Sequence, residues 1–239
     1  MNYSEMQDQV RLLLGETDAD NSYYTATEIE DQINLSNLRV ASEVPTLLTY
    51  AEVDSVADTQ QYGLPSDFLQ LKDVQYWRST TQRIQLIRYS YDEFEILTAS
   101  NATMSGEPAF YRVEFGAVKT DAGTPPGDIW LYPVPDAVYT LRVVYYQKPT
   151  ALSSDADVSE LPEFLHLPVC YHAALHLAMK DSANTRLGIL ANMYRDAIRE
   201  AKLVVSKRDR SGPFQIRTNY GKSRLIRRGG RAARRGPLK

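Results

Sequence analysis

Along the first 45 residues, apolar side chains recur at helical spacing. Met6, Val10, Leu13 and Leu14 stand at i, i+4, i+7 and i+8, and Gly15 follows where a helix C-terminus favours glycine. After the turn-rich stretch DADNSYY, Thr25 and Glu28 have capping-box spacing, and Ile29, Ile33, Val40 and Val44 continue the helical period until Pro45. The pattern predicts two helices. From about residue 46 to residue 148 the period falls to two. LQLKDVQYW, RIQLIRY, FYRVEF, DIWLYP and YTLRVVYYQ each have the length, alternation and residue choice of strands. The turn clusters SGEP, DAGTPPGD and PVPDA separate them. One short helix is expected among the strands, because Ser90 and Glu93 have capping-box spacing ahead of Phe94, Ile96 and Leu97.

Helical spacing returns after the acidic linker SSDADVSE. Pro162 suits a first turn, and the segment 164–179 is apolar on nearly every side. Pro168 either kinks that helix or marks its true start, and spacing leaves both open. Beyond the turn DSANT, one broad stripe of Leu187, Leu190, Met193, Tyr194, Ala197, Ile198, Ala201 and Val205 predicts a last amphipathic helix. A helix apolar all round must be covered by several others, and the two N-terminal helices and the last one are the available partners.

The expected fold class is therefore α+β: a helical bundle built from both ends of the chain, with an antiparallel β domain, a small sandwich or a curled sheet, inserted into it. The corresponding divisions are 1–45 and 151–210 for the bundle, 46–150 for the β domain, and 211–239 for an extended basic arm. In that arm Phe214, Ile216, Thr218 and Tyr220 alternate with Gln215, Arg217 and Asn219, a period that suits one strand. The remainder, GKSRLIRRGGRAARRGPLK, has too little apolar content to order itself.

Charge sharpens this division. The 239 residues carry a formal −3, yet twelve of the 27 Lys and Arg and only one of the 30 acids lie from Lys207 onward. Residues 1–206 thus hold 15 bases against 29 acids, a body at −14 with a tail at +11. Such a split bears on association and solubility rather than on topology. The apolar fraction of 43% is that of a globular chain able to bury a core. The start of the chain lacks the basic and apolar regions of a secretory signal, and 164–179 is short for a bilayer crossing, so no membrane partner is expected. The single Cys170 fits a reducing compartment.

Candidate chemistry is sparse. His172 and His176 stand at i, i+4, but the residues between them lack the catalytic Glu of a zinc hydrolase helix, and spacing supplies no third ligand. Histidines of a core or an interface are the favoured reading. Gly221-Lys222-Ser223 ends like a phosphate-binding loop, but Ile216 stands where the earlier glycine is required. Cys170 reads as an inert buried thiol, and the carboxylates of DADN and SSDADVSE lack calcium-loop spacing. Ten of the sixteen tyrosines lie between Tyr50 and Tyr146, where they serve either as stacking platforms for bases or as ordinary strand and interface faces. The inventory points away from an enzyme and from any cofactor.

Three stretches together carry a resemblance: YGLPSDFL leading into LKDVQYW, then DIWLYPVPDAVYTLRVVYYQKPTAL, then LPEFLHLPVCYHAALHLAMKD with its amphipathic helix. In this order, behind a helical pair, they resemble the head-to-tail adaptor (connector) proteins of short-tailed bacteriophages over about the first 205 residues. The resemblance implies a structural virion protein at the head–tail junction, assembled in the host cytoplasm. It implies a ring, commonly of twelve subunits, between the portal and the tail nozzle, with tail fibres as a further neighbour and DNA crossing its lumen without specific binding. It also implies C-terminal segments that lock onto the portal. The residues expected to bind the portal or a neighbouring subunit are Phe214, Ile216, Arg217 and Tyr220 for register, and Arg224, Arg227, Arg228, Arg231, Arg234 and Arg235 for grip on carboxylates. The alternative from the same tail is a nucleic-acid-binding protein that uses it as an electrostatic arm, which the acidic body opposes.

Overall fold

A computed structural model describes residues 1–16, 23–79, 81–99, 104–115, 127–180 and 186–210, with side chains through residue 206 in the last segment. The turns expected at 17–22, 121–126 and 181–185, and the arm from residue 211, lie outside the described residues.

Helix α1 (Tyr3–Leu14) starts in a capping box: the Asn2 side chain accepts from the Glu5 amide at 2.8 Å, and Glu5 accepts from the Asn2 amide at 2.9 Å. It ends at Gly15, whose φ of 82° is the left-handed cap geometry that glycine adopts without strain. Helix α2 (Ala26–Glu43) uses the expected Thr25–Glu28 box and buries Ile29, Ile33 and Val40. After residue 160 a single 3-10 turn (Glu163–Leu165) precedes α4 (His166–Ala178). Pro168 thus falls in the first turn, where its missing N–H breaks no helical bond, and it marks the helix start rather than a kink. Helix α5 (Leu187–Arg210) turns Leu190, Ile198 and Ala201 inward, while Met193 of the expected stripe lies exposed at its edge.

These helices share one core. Helix α4 packs against α1, α2 and α5, and Val169, Cys170, Ala173, Ala174 and Ala178 on it have no exposed surface. The acidic stretch read as a linker is tied down. Asn34 on α2 donates to the Leu152 carbonyl at 3.0 Å and accepts from the Leu152 amide at 2.8 Å, as a neighbouring strand would. The Ser159 hydroxyl donates to Asn37 at 2.9 Å.

The chain between α2 and that stretch forms ten strands and α3 (Tyr91–Ala99): β1 (Leu48–Asp54), β2 (Gln61–Gly63), β3 (Phe68–Trp77), β4 (Arg83–Gln85), β5 (Ile87–Arg88), β6 (Ser105–Gly106), β7 (Phe110–Glu114), β8 (Asp128–Tyr132), β9 (Val134–Pro135) and β10 (Thr140–Gln147). Sheet one has the order β1-β10-β3-β4 and sheet two the order β2-β8-β7-β5, with β6 and β9 paired separately. Val74, Tyr76, Leu141, Val143 and Tyr145 of sheet one meet Tyr111, Ile129 and Leu131 of sheet two in a second core. Leu47 and Leu69 pack against the helical core, so the β layer leaves the helices through an apolar joint.

Two expectations are corrected. RIQLIRY, which alternates like one strand, divides at Leu86, which is 3% exposed between the sheets and donates its amide to Val74 at 2.9 Å. The chain therefore leaves sheet one after β4 and enters sheet two as β5. The strands are also not all antiparallel: β5 pairs with β7, and β6 with β9, in parallel. Helix α3 lies between β5 and β7, and a crossover of that kind brings the chain back in the same direction.

Candidate interaction surfaces

The sequence offers His172, His176 and Cys170 as candidate chemistry, and packing accounts for His172 and Cys170, as it does for His166 nearby. His172 Nδ1 lies 2.9 Å from the Ser36 hydroxyl on α2, and its ring contacts those of His176 and Tyr194 at centroid distances of 4.3 and 4.9 Å. Tyr194 in turn donates to Glu43 at 3.1 Å. Burial, then the neighbouring His176 and Arg39, push His172 down to about 4, so the ring is neutral at physiological pH. His166 donates from Nε2 to the Leu161 carbonyl at 2.8 Å, which leaves Nδ1 to accept from the Met1 amine at 3.0 Å. The fully buried Cys170 thiol is pushed up to about 12 by desolvation, the state of an inert thiol. Among the described residues no cluster of three or more His, Cys, Asp or Glu side chains is arranged to hold a metal ion.

The outer face of sheet one has a different character. Strand pairing places Glu52 opposite Arg142, Tyr50 opposite Val144 and Leu48 opposite Tyr146, all turned away from the sandwich core. The Arg142 guanidinium lies 3.6 Å from the Tyr50 ring centroid and 3.3 Å from a Glu52 carboxylate oxygen. Arg83 stacks over Trp77 at 4.2 Å, and Lys72 lies 5.8 Å from the Tyr146 ring. Each of these aromatic rings lies beside a cation of its own chain. Tyr, Trp and Arg together are the residues that dominate protein–protein contacts.

The border of this face is β1, the outermost strand of sheet one. The Leu47 carbonyl accepts from the Gln147 amide at 3.0 Å, and the Ser55 amide donates to the Tyr139 carbonyl at 2.8 Å. Odd-numbered backbone groups therefore face β10, and the amides and carbonyls of Tyr50, Glu52 and Asp54 point outward. Among the described residues no strand pairs with that edge. The strand was absent from the segments singled out by alternation, because LTYAEVD sets only Thr49, Ala51 and Val53 on one face and mixes Leu48 and Tyr50 with Glu52 and Asp54 on the other. That mixture was itself the available signal, since edge strands carry charge where buried strands do not.

A groove of about 770 Å³ runs along α5, lined among others by Glu43, Leu175, Tyr194, Arg195, Ile198 and Lys202. It presents an apolar floor with a mainly cationic rim. The ten arm residues expected to bind a partner all lie outside the described residues, so none of them is brought to this face or groove.

No helix among the described residues is long and apolar enough to cross a membrane. No curated protein matches the chain. A family model described as SU10 adaptor protein matches residues 1–217, which spans both cores and the first alternating residues of the arm. The chain belongs to this family of phage head-to-tail adaptors.

Proposed function

We propose that the protein forms a closed ring at the junction of portal and tail, with DNA passing through its lumen. The observation that carries this reading is membership of the adaptor family over residues 1–217. Within it the helical segments 1–45 and 151–210 form one module, residues 46–150 a second, and 211–239 an arm. The ring is of about twelve copies, as the family resemblance implies, and the arm holds it to the portal. Residues 214–220 supply register on the portal or on a neighbouring subunit, and Arg224, Arg227, Arg228, Arg231, Arg234 and Arg235 grip carboxylates of the partner. The tail nozzle and fibres are neighbours on the other side. The protein acts structurally, in the virion, with no catalytic residue and no cofactor.

The charge split supports this division of labour. A lumen that passes DNA must hold few phosphates, because each one neutralised releases counterions and adds affinity. A body at −14 meets that need if acids line the lumen, while the positive charge is set apart at one end. DNA binding by the arm is the less favoured reading, since the body that carries the arm is acidic, at −14. Native mass spectrometry of the full chain, alone and with portal, tests the proposal. A closed homo-oligomer of defined copy number is expected in at least one condition; monomer in both overturns it.

A further inference from the structure

We propose that the open edge of β1 is the docking site for the 214–220 segment of a second copy of this chain. The inference rests on the ring reading and names the contact that propagates from copy to copy.

The acceptor is defined by its backbone. Strand β1 is seven residues long, whereas the other outer strands of the two sheets, β4, β2 and β5, have three, three and two. It is thus the longest of the outer strands and can hold an added strand along its whole length. The outward amides and carbonyls of Tyr50, Glu52 and Asp54 supply the hydrogen bonds. An edge of this kind is a template for another chain unless something blunts it.

The donor matches in length and pattern. Residues 214–220 are also seven, free of proline, and set off by Gly212-Pro213 before and Gly221 after. On an added strand, alternate residues fall on opposite faces. With Phe214, Ile216 and Tyr220 on the core side, they extend the row of Ala51, which packs on the sandwich core, and Val53, which is 41% exposed. The other row then sets Arg217 alongside Tyr50, Glu52 and Asp54, where its charge is complementary. The opposite facing puts Arg217 against the core rim and is disfavoured by its desolvation.

The position of α5 allows this reach. Lys202 lies 3.9 Å from Glu43, the last residue of α2, and the chain enters β1 five residues further on. Helix α5 runs on past Lys202 to Arg210, about 12 Å along its axis, before the arm begins. A donor at one end of the chain and an acceptor edge within the β layer make a heterologous pair, which repeats from copy to copy and gives a ring when the rotation between copies closes. The arginines beyond Tyr220 remain free for the portal.

Disulfide trapping tests this, since the native Cys170 is buried. Full-length Arg217→Cys is mixed under mild oxidation with Tyr50→Cys, Glu52→Cys or Asp54→Cys chains of distinguishable mass, and with Gln85→Cys on the far edge as a control. A covalent heterodimer with at least one β1 variant, at least tenfold above the control, is expected. Glu52→Pro removes an outward amide without touching a bond to β10, and should cut trapping at Tyr50→Cys severalfold while circular dichroism is unchanged. Rings seen by native mass spectrometry without any heterodimer overturn this inference and leave the ring reading intact. Heterodimer without rings leaves this contact standing and removes the ring. A double variant that links only within one chain, with no heterodimer from the mixture, shows docking in cis and overturns the proposal.

Discussion

Arg112 enters the space between α3 and sheet two with its side chain only 9% exposed. Its guanidinium pairs with Glu95 at 2.7 Å and Glu114 at 3.3 Å, and lies 4.6, 5.0 and 4.9 Å from the ring centroids of Tyr91, Phe94 and Trp130. One residue thereby holds α3 to the sheet by charge and by ring faces at once. Arg112→Ala is expected to destabilise the fold by about 2–4 kcal/mol in urea unfolding, through lost ring stacking and a buried gap as well as lost pairing. Glu95→Gln should cost about 1 kcal/mol or less, because that carboxylate is half exposed. His172 carries a second prediction. It is faced by Ser36, Arg39 and Glu43 from α2, His176 from its own helix and Tyr194 from α5. Its folded value is depressed to about 4 from 6.5, so the unfolded chain takes up the proton first as pH falls. The stability contributed by the neutral ring is present above pH 6.5 and is lost as pH drops toward 4, on the order of 1–2 kcal/mol after allowance for partial exposure. His172→Gln, which keeps a polar partner for Ser36, should flatten the change in urea midpoint between pH 7 and pH 4.5. Neither role is legible in the sequence. The i, i+4 spacing of the histidines shows that they share a helix face, but not what lies across from it, and Arg112 reads as one more polar position in an alternating strand.

Helix α4 shows what the element scale adds. Its small residues, Ala173, Ala174 and Ala178, are wholly buried and let α1, α2 and α5 approach from three directions. Ala173→Leu should therefore cost about 1–3 kcal/mol by overpacking, read as a lower urea midpoint at unchanged slope. The reverse change at the exposed Leu203, to Ala, should fall within about 0.5 kcal/mol. The helices were legible because period and caps are local: Thr25 with Glu28, Ser90 with Glu93, and the Ile29, Ile33, Val40 face all lie within a few turns of one another. The strands were legible where one face is buried, as in β3, β8 and β10. They were misread where the partner changes, as at Leu86, because alternation continues straight through a residue that hands the chain from one sheet to the other. The edge strand β1 escaped notice for a related reason: a strand with one neighbour lacks a clean apolar face.

For the whole molecule, the division of charge leads to a prediction that separates assembly from anchoring. Replacing Arg224, Arg227, Arg228, Arg231, Arg234 and Arg235 with Gln leaves residues 1–220 unaltered. Self-assembly by native mass spectrometry should persist, while portal binding should fall at least tenfold and lose most of its salt dependence. Retained, salt-sensitive portal binding would place the grip elsewhere on the chain. The sequence by itself determined the mixed helix and strand content, the helix caps and the separation of an acidic body from a basic arm. These follow from composition and from residues a few positions apart. Only the tertiary structure decided that two sheets enclose a second core, that Arg142, Arg83 and Lys72 cap the aromatic rings beside them, and that β1 is left as a long open edge. Those features depend on pairing between residues at opposite ends of the β segment, such as Leu48 with Tyr146. Local spacing carries no information about which distant strand completes a sheet, because the free energy that selects it comes from burial shared by the whole layer.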